Sequence, residues 1–245
     1  MTAWKRLLAI GGLVCLLGLL TTLPARVVHS WASPEQLKLA GIDGSLWNGS
    51  ANEASIQGLY LQKLQWSFQP LSLPAGKLAY AVRAQPAGGF MEGRVAIGFG
   101  GKISIDGLNM AIPLSALQNA VRIDDVAGDI TLRLDEVQLS DGWPTRVSGQ
   151  AGVSGLVLRA LSPAPLGNYK AEFQTRDDGV IGSVEDQGGM LKVAATLRLN
   201  PDRSYALIGQ VGPTATASST VVEQLGYLGS PDARGLREFR LEGSL

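Results

Sequence analysis

The sequence predicts a mainly β protein: an N-terminal single transmembrane helix, then a curved, meandering antiparallel β-sheet domain with one to three short helices. Three observations support this. An uninterrupted apolar run lies near the N-terminus, short segments of alternating apolar and polar residues fill the rest, and 31 glycines are spread through the 245 residues. Short strands separated by Gly, Pro, Asp or Asn turns are typical of antiparallel sheets. About 200 residues is an ordinary size for one all-β domain.

The apolar run covers residues 7–23 and carries no charge, and Lys5 and Arg6 precede it. Its 17 residues would extend roughly 26 Å as a helix, the short end of what spans a bilayer. Signal-peptide cleavage after residues 30–32 is the competing interpretation. That site lies well beyond the run, however, and Trp31 is typical of an interfacial aromatic residue. We therefore predict a retained membrane anchor.

The charges before the anchor predict its orientation. The head is too short to form a domain and follows the usual pattern of a cytoplasmic n-region. This places a single-pass protein in a bacterial inner membrane, with its N-terminus cytoplasmic and the bulk of the chain periplasmic. Ser33 and Pro34 predict a short helix that ends by Gly41, because they suit an N-cap and a first helical position. The predicted parts are a cytoplasmic head (residues 1–6), the anchor (7–23), a membrane-proximal linker with the short helix (24–40) and the periplasmic β-domain (41–245).

Residues 41–84 join the anchor to the sheet and contain two tryptophans. Leu64, Trp66 and Phe68 alternate with polar residues, which predicts a strand with one apolar face. Similar alternation recurs through most of the chain. Two segments have helical spacing instead, residues 113–122 and residues 219–229. Short helices packed over the sheet or its ends would explain both.

Gly44 and Gly49 bracket Leu46 and Trp47 in a predicted tight turn or strand edge. Rigid aromatic rings supply much of the energy of an interface when they are exposed. Leu46 and Trp47 are therefore the candidate partner-contact residues. Packing of Trp47 within the fold is the alternative left open, whereas the regular alternation around Trp66 favours a structural role for that side chain.

Composition argues against several function classes. The 21 basic and 21 acidic residues balance, so the field that attracts nucleic acid is missing. The single histidine, His29, and the single cysteine, Cys15, leave no basis for a nucleophilic triad or a His/Cys metal site. The acidic pairs at residues 124–125 and 177–178 are typical of surface turns. We expect no enzyme activity, no metal and no cofactor.

Several short motifs together suggest a family. In chain order they are GSLWNGSA at residues 44–51, LQWSFQPL at 64–71, DGWP at 141–144, PLGNY at 165–169, DQGG at 186–189, LNPD at 199–202 and LGSPDARG at 228–235. In order and spacing they resemble the N component of the bacterial type II (general) secretion pathway, the GspN family. The resemblance implies a non-catalytic inner-membrane accessory subunit of the machine that exports folded proteins across the outer membrane. Its implied partners are the secretin or the inner-membrane platform proteins.

A lipid-handling module is the second hypothesis. A long curved sheet tethered to the inner membrane resembles the β-groove architecture of AsmA-like envelope proteins. One face of each predicted strand is apolar enough to line a groove that binds or transfers lipid. Whether helices such as residues 219–229 fill that face or leave it open is undecided by the sequence.

Overall fold

Thirteen strands form one antiparallel sheet. The structure, a computed structural model, describes residues 18, 22–27, 37–56, 58–98, 100–118 and 125–244. Each strand pairs with its neighbours in sequence, and within these residues the sheet is open, because β1 and β13 form its two edges. The prediction of a mainly β, meandering antiparallel sheet with few short helices is confirmed.

The elements follow one another without crossovers. The strands are β1 (Leu37–Gly44), β2 (Asn48–Ile56), β3 (Leu59–Gln69), β4 (Lys77–Pro86), β5 (Phe90–Gly98), β6 (Ile103–Pro113), β7 (Val126–Ser140), β8 (Trp143–Leu158), β9 (Gly167–Arg176), β10 (Gly179–Gly189), β11 (Leu191–Leu199), β12 (Ser204–Pro213) and β13 (Arg237–Ser244). Within the described ranges the helices include α1 (Ser219–Gly226) and two 3₁₀ helices, Pro70–Ala75 and Leu114–Leu117, and residues 25–27 are also helical.

The register gives the sheet one apolar and one polar face. An apolar row crosses six strands through directly opposed residues, namely Phe68, Tyr80, Val95, Ile105, Val137 and Val147. The adjacent row, one residue away on each strand, is small or polar, namely Gln69, Ala79, Ala96, Ser104, Gln138 and Arg146. Successive side chains of a strand point to opposite faces, so the two rows lie on opposite sides of the sheet.

The apolar face holds three buried clusters. One surrounds Leu61 and Leu64 on β3, and a second surrounds Val137, Val147 and Val180 in the middle of the sheet. The third joins the sheet to α1, whose Val221 and Leu225 are buried with side chains from the late strands. Between the clusters, many residues of the apolar face are only half-buried.

The helical prediction for residues 219–229 is confirmed over α1. Ser218 caps this helix, since its Oγ accepts a hydrogen bond from the Val221 N–H at 3.4 Å. The prediction for residues 113–122 is confirmed only as the short 3₁₀ helix Leu114–Leu117, because residues 119–124 lie outside the described part of the chain.

The predicted short helix after the anchor is wrong where the structure describes it. Residues 37–41 belong to strand β1, and Leu39 lies opposite Ala54 of β2. Leu37 and Leu39 alternate with Lys38 and Ala40, and pairing with β2 lets the two leucines join the apolar face. This non-local gain overrides the local capping signal. Residues 33–36, which carry that signal, lie outside the described residues.

The anchor prediction falls mostly outside the described residues. Of residues 7–23, only Gly18, Thr22 and Leu23 are described, and Cys15 and His29 are not. No described helix has the length and apolar character needed to cross a membrane. The transmembrane helix therefore stays a prediction.

Candidate functional site: the turn between β1 and β2

Residues 45–47 join β1 to β2 in a tightly hydrogen-bonded turn. The Ser45 N–H donates to the Asn48 carbonyl at 2.9 Å, and the Asn48 N–H donates to Ser45 Oγ at 3.1 Å. Gly44 precedes them with φ of +87°, a conformation that favours glycine. A Cβ on Gly44 would also approach the Gly49 Cα to 2.9 Å. The local sequence therefore fixes the turn as a compact unit.

Trp66 holds this turn from the adjacent strand. Its indole Nε1–H lies 3.2 Å from both the Ser45 and the Leu46 carbonyl oxygens. In the β2–β3 register Trp66 stands directly opposite Gly49, and a Cβ on Gly49 would overlap the indole ring. The ring thus occupies the space that glycine leaves. The predicted structural role of Trp66 is confirmed.

Leu46 and Trp47, the candidate contact residues, lie half-buried at this turn. The Trp47 ring packs on Phe68, with centroids 4.8 Å apart and planes tilted by 58°. Phe68 in turn lies 5.5 Å from the Tyr80 ring, and its N–H donates to the Trp47 carbonyl at 2.6 Å. Trp47 is therefore anchored by an aromatic row and is half-buried.

The chain just after the predicted anchor docks on the same turn. The Leu46 N–H donates to the Leu23 carbonyl at 2.9 Å, and Pro24 bridges to Ser45. Arg26 lies 3.7 Å from the Asp43 carboxylate, in an exposed pair that contributes little. No periodicity in the sequence links residues so far apart, so this contact was not predictable from spacing. It places Leu46 and Trp47 beside the end of residues 7–23.

The acidic pairs lie away from this turn. Asp177 and Asp178 are exposed in the β9–β10 connection, which confirms the surface-turn prediction for that pair. Asp125 is exposed, and its carboxylate lies 3.9 Å from Arg159, while Asp124 is not among the described residues. The β1–β2 turn therefore offers a partner the apolar and aromatic side chains of Leu46 and Trp47 on an ordered backbone.

Replacing Trp66 with Phe is expected to lower the free energy of unfolding by about 1–3 kcal/mol, because two turn carbonyls lose a shared N–H donor. The aromatic contact with Gly49 would largely remain. Urea unfolding of the full chain in detergent, followed by circular dichroism, measures the change. Unchanged stability would show that water replaces the indole at no cost and that the turn does not depend on Trp66.

Comparison with known proteins identifies the family. Residues 35–240 match the family model described as type II secretion system (T2SS), protein N. The chain belongs to this family. The match covers almost the whole described sheet, from β1 into β13, and it confirms the resemblance drawn from the sequence motifs.

Two relatives agree with this assignment. Type II secretion system protein N of Aeromonas hydrophila is 27% identical, and the alignment covers 98% of this chain and 99% of the relative. The protein of the same name from Vibrio cholerae serotype O1 is 25% identical over 91% of each chain. No solved structure matches. The chain is thus a component of type II secretion.

Proposed function

We propose that this chain is a non-catalytic accessory component of the type II secretion machinery, held in the inner membrane by residues 7–23 and acting through a periplasmic β-domain. The observation that carries the proposal is the family match over residues 35–240. Because that match spans nearly the entire sheet, the role belongs to the sheet as a unit.

The β1–β2 turn is the proposed contact surface of this domain. Leu46 and Trp47 present half-buried apolar surface on a turn that Trp66 and the Gly44 backbone already order. A preordered surface loses little conformational entropy on binding. Its position beside Leu23 favours partners close to the inner membrane, namely the platform proteins or a secretin segment that reaches them.

A pull-down of the full-length chain from membranes tests the proposed role. Tagged chain, solubilised in mild detergent, is expected to co-purify with at least one other type II secretion component. The control is an equally tagged chain with Gly209→Trp, which we expect to misfold. Even a Cβ at Gly209 would approach the Ala195 Cβ to 2.5 Å. Recovery of no secretion component with the native chain would contradict the proposal.

The lipid-groove hypothesis gains no support from the comparisons, which name only secretion proteins. Among the described helices, α1 covers the apolar face near Leu166 and Val211, and the 3₁₀ helix Leu114–Leu117 contacts β3, β6 and β7. Mass spectrometry of organic extracts of the purified chain decides the matter, since stoichiometric phospholipid would favour the groove.

A further inference from the structure

One end of the sheet carries the β1–β2 turn, and we name it the proximal end. In an antiparallel meander every second connection lies at the same end. The proximal end therefore also carries the β3–β4, β5–β6, β7–β8, β9–β10 and β11–β12 connections. Since Leu23 hydrogen-bonds to Leu46 there, the proximal end is the one closest to the predicted anchor.

Exposed leucines project from the β3–β4 connection at this end. Leu71 is 93% exposed and Leu73 is 50% exposed, both in the 3₁₀ helix Pro70–Ala75. Pro70 and Pro74 restrict this segment, and Ser72 Oγ lies 2.6 Å from the Gln69 carbonyl oxygen. The two leucines are thus exposed to solvent on a restrained backbone, an arrangement typical of an interaction site.

The apolar surface continues onto the neighbouring strands. Leu78 on β4 and Ile97 on β5 stand opposite each other in register and are 47% and 49% exposed. They begin the apolar face at the proximal end, and Leu78 closely follows the 3₁₀ helix that carries Leu71 and Leu73. Four large apolar side chains are therefore exposed around one corner of the sheet.

A basic cleft lies on the polar face at the same corner. It has a volume of about 540 Å³, and Lys77, Lys102 and Arg146 line it together with neutral residues. No acidic residue lines the cleft, and none of the three cations forms an ion pair with another described residue. Unneutralised basic groups beside exposed apolar groups match the surface of an anionic bilayer.

The remaining proximal connections have the opposite charge character. Asp177, Asp178 and Asp202 lie in the β9–β10 and β11–β12 connections, whereas Asp141 of the β7–β8 connection is paired with Arg203 at 3.5 Å. An anionic surface would repel these turns. The charge distribution therefore selects the corner that runs from the β3–β4 connection to Arg146 on β8, rather than the whole proximal end, as the surface that faces lipid.

We propose that this corner is a second membrane contact, in which Leu71 and Leu73 enter the interface of an anionic phospholipid bilayer and Lys77, Lys102 and Arg146 bind headgroup phosphates. The proposal rests on the proposed function only for the anchor that brings the corner to the membrane. Its consequence is a fixed tilt of the β-domain, with the acidic turns directed away from the bilayer.

Lipid quenching of a site-specific label tests the contact. Full-length chain carrying Cys15→Ser and Leu71→Cys is labelled with a polarity-sensitive fluorophore and reconstituted into vesicles of equal parts phosphatidylcholine and phosphatidylglycerol. A lipid-borne quencher is expected to remove most of the emission, which should also be blue-shifted. Ala87→Cys in the same background is the control, because Ala87 is exposed in the β4–β5 connection at the opposite end.

Two further measurements test the contributions of lipid charge and of the basic side chains. Quenching at residue 71 should be much weaker in vesicles of phosphatidylcholine alone than in anionic vesicles. It should also weaken in anionic vesicles when Lys77, Lys102 and Arg146 are all replaced by Gln. Equal emission at residues 71 and 87 in anionic vesicles would overturn the proposal, as would quenching that ignores lipid charge. The purified chain is used without partners, so this failure is distinct from a failed pull-down.

Discussion

Replacing Leu61 with Ala is expected to lower the free energy of unfolding by about 3 kcal/mol, within the 2–5 kcal/mol typical of buried Leu to Ala changes. Leu61 is 0% exposed and lies in the cluster that joins β2, β3 and β4. Three other members of that cluster, Ala51, Ala54 and Ala84, are already small and cannot extend into the space left behind. Urea unfolding of the full chain in detergent, followed by circular dichroism, measures the loss.

Leu71→Ala is the matched control, since it removes the same atoms from a side chain that is 93% exposed. Its unfolding free energy should stay within about 0.5 kcal/mol of the native value. Similar losses for the two variants would show that the Leu61 cluster is not the core of this part of the sheet.

Gly49→Ala is expected to cost about 2 kcal/mol, in the 1–3 kcal/mol range of overpacking changes, and to loosen the β1–β2 turn. The new Cβ would overlap the Trp66 ring and approach the Asp43 carbonyl oxygen to 2.7 Å. Because the indole must then shift, its Nε1–H moves from the Ser45 and Leu46 carbonyls. Faster amide hydrogen exchange at the turn, together with lower unfolding free energy, measures both effects.

Gly226→Ala provides the control for this substitution. Gly226 ends α1, and no atom lies within 4 Å of a Cβ built there. Alanine is favoured over glycine in helices, so the variant should be neutral or more stable by up to about 1 kcal/mol. If the Gly49→Ala chain were as stable as the Gly226→Ala chain, the position of the Trp66 ring would not depend on the absence of a side chain at residue 49.

Alternation in the sequence was sufficient to predict most of the sheet, because most strands have one apolar and one more polar face. Leu64, Trp66 and Phe68 illustrate this, as they follow the period of two and lie on the apolar side. The bulge at Lys63, with φ of +48°, left no signal in that pattern. Strand β1 was missed because its cap-like preceding residues favour a helix locally, whereas pairing with β2 is non-local.

The turn that carries the candidate contact residues was predictable from the sequence, but the contacts that hold it in place were not. Glycines around Leu46 and Trp47 predicted a turn, and the structure has one. The indole hydrogen bonds of Trp66 and the contact between Leu23 and Leu46 join residues about twenty positions apart. Contacts of this kind depend on how strands pair and on where the N-terminal segment docks, which local patterns do not encode.

Site-specific photocrosslinking in intact cells tests most directly that the β1–β2 turn contacts the secretion machinery. A photoreactive phenylalanine analogue replaces Leu46 or Trp47, with Ala87 and Asp178 as exposed control positions elsewhere on the sheet. We expect crosslinks to a platform protein or the secretin from positions 46 and 47, and weak or absent crosslinks from the controls. Crosslinks to a secretion component from position 87 or 178, with none from 46 or 47, would contradict the assignment of the turn as the contact surface.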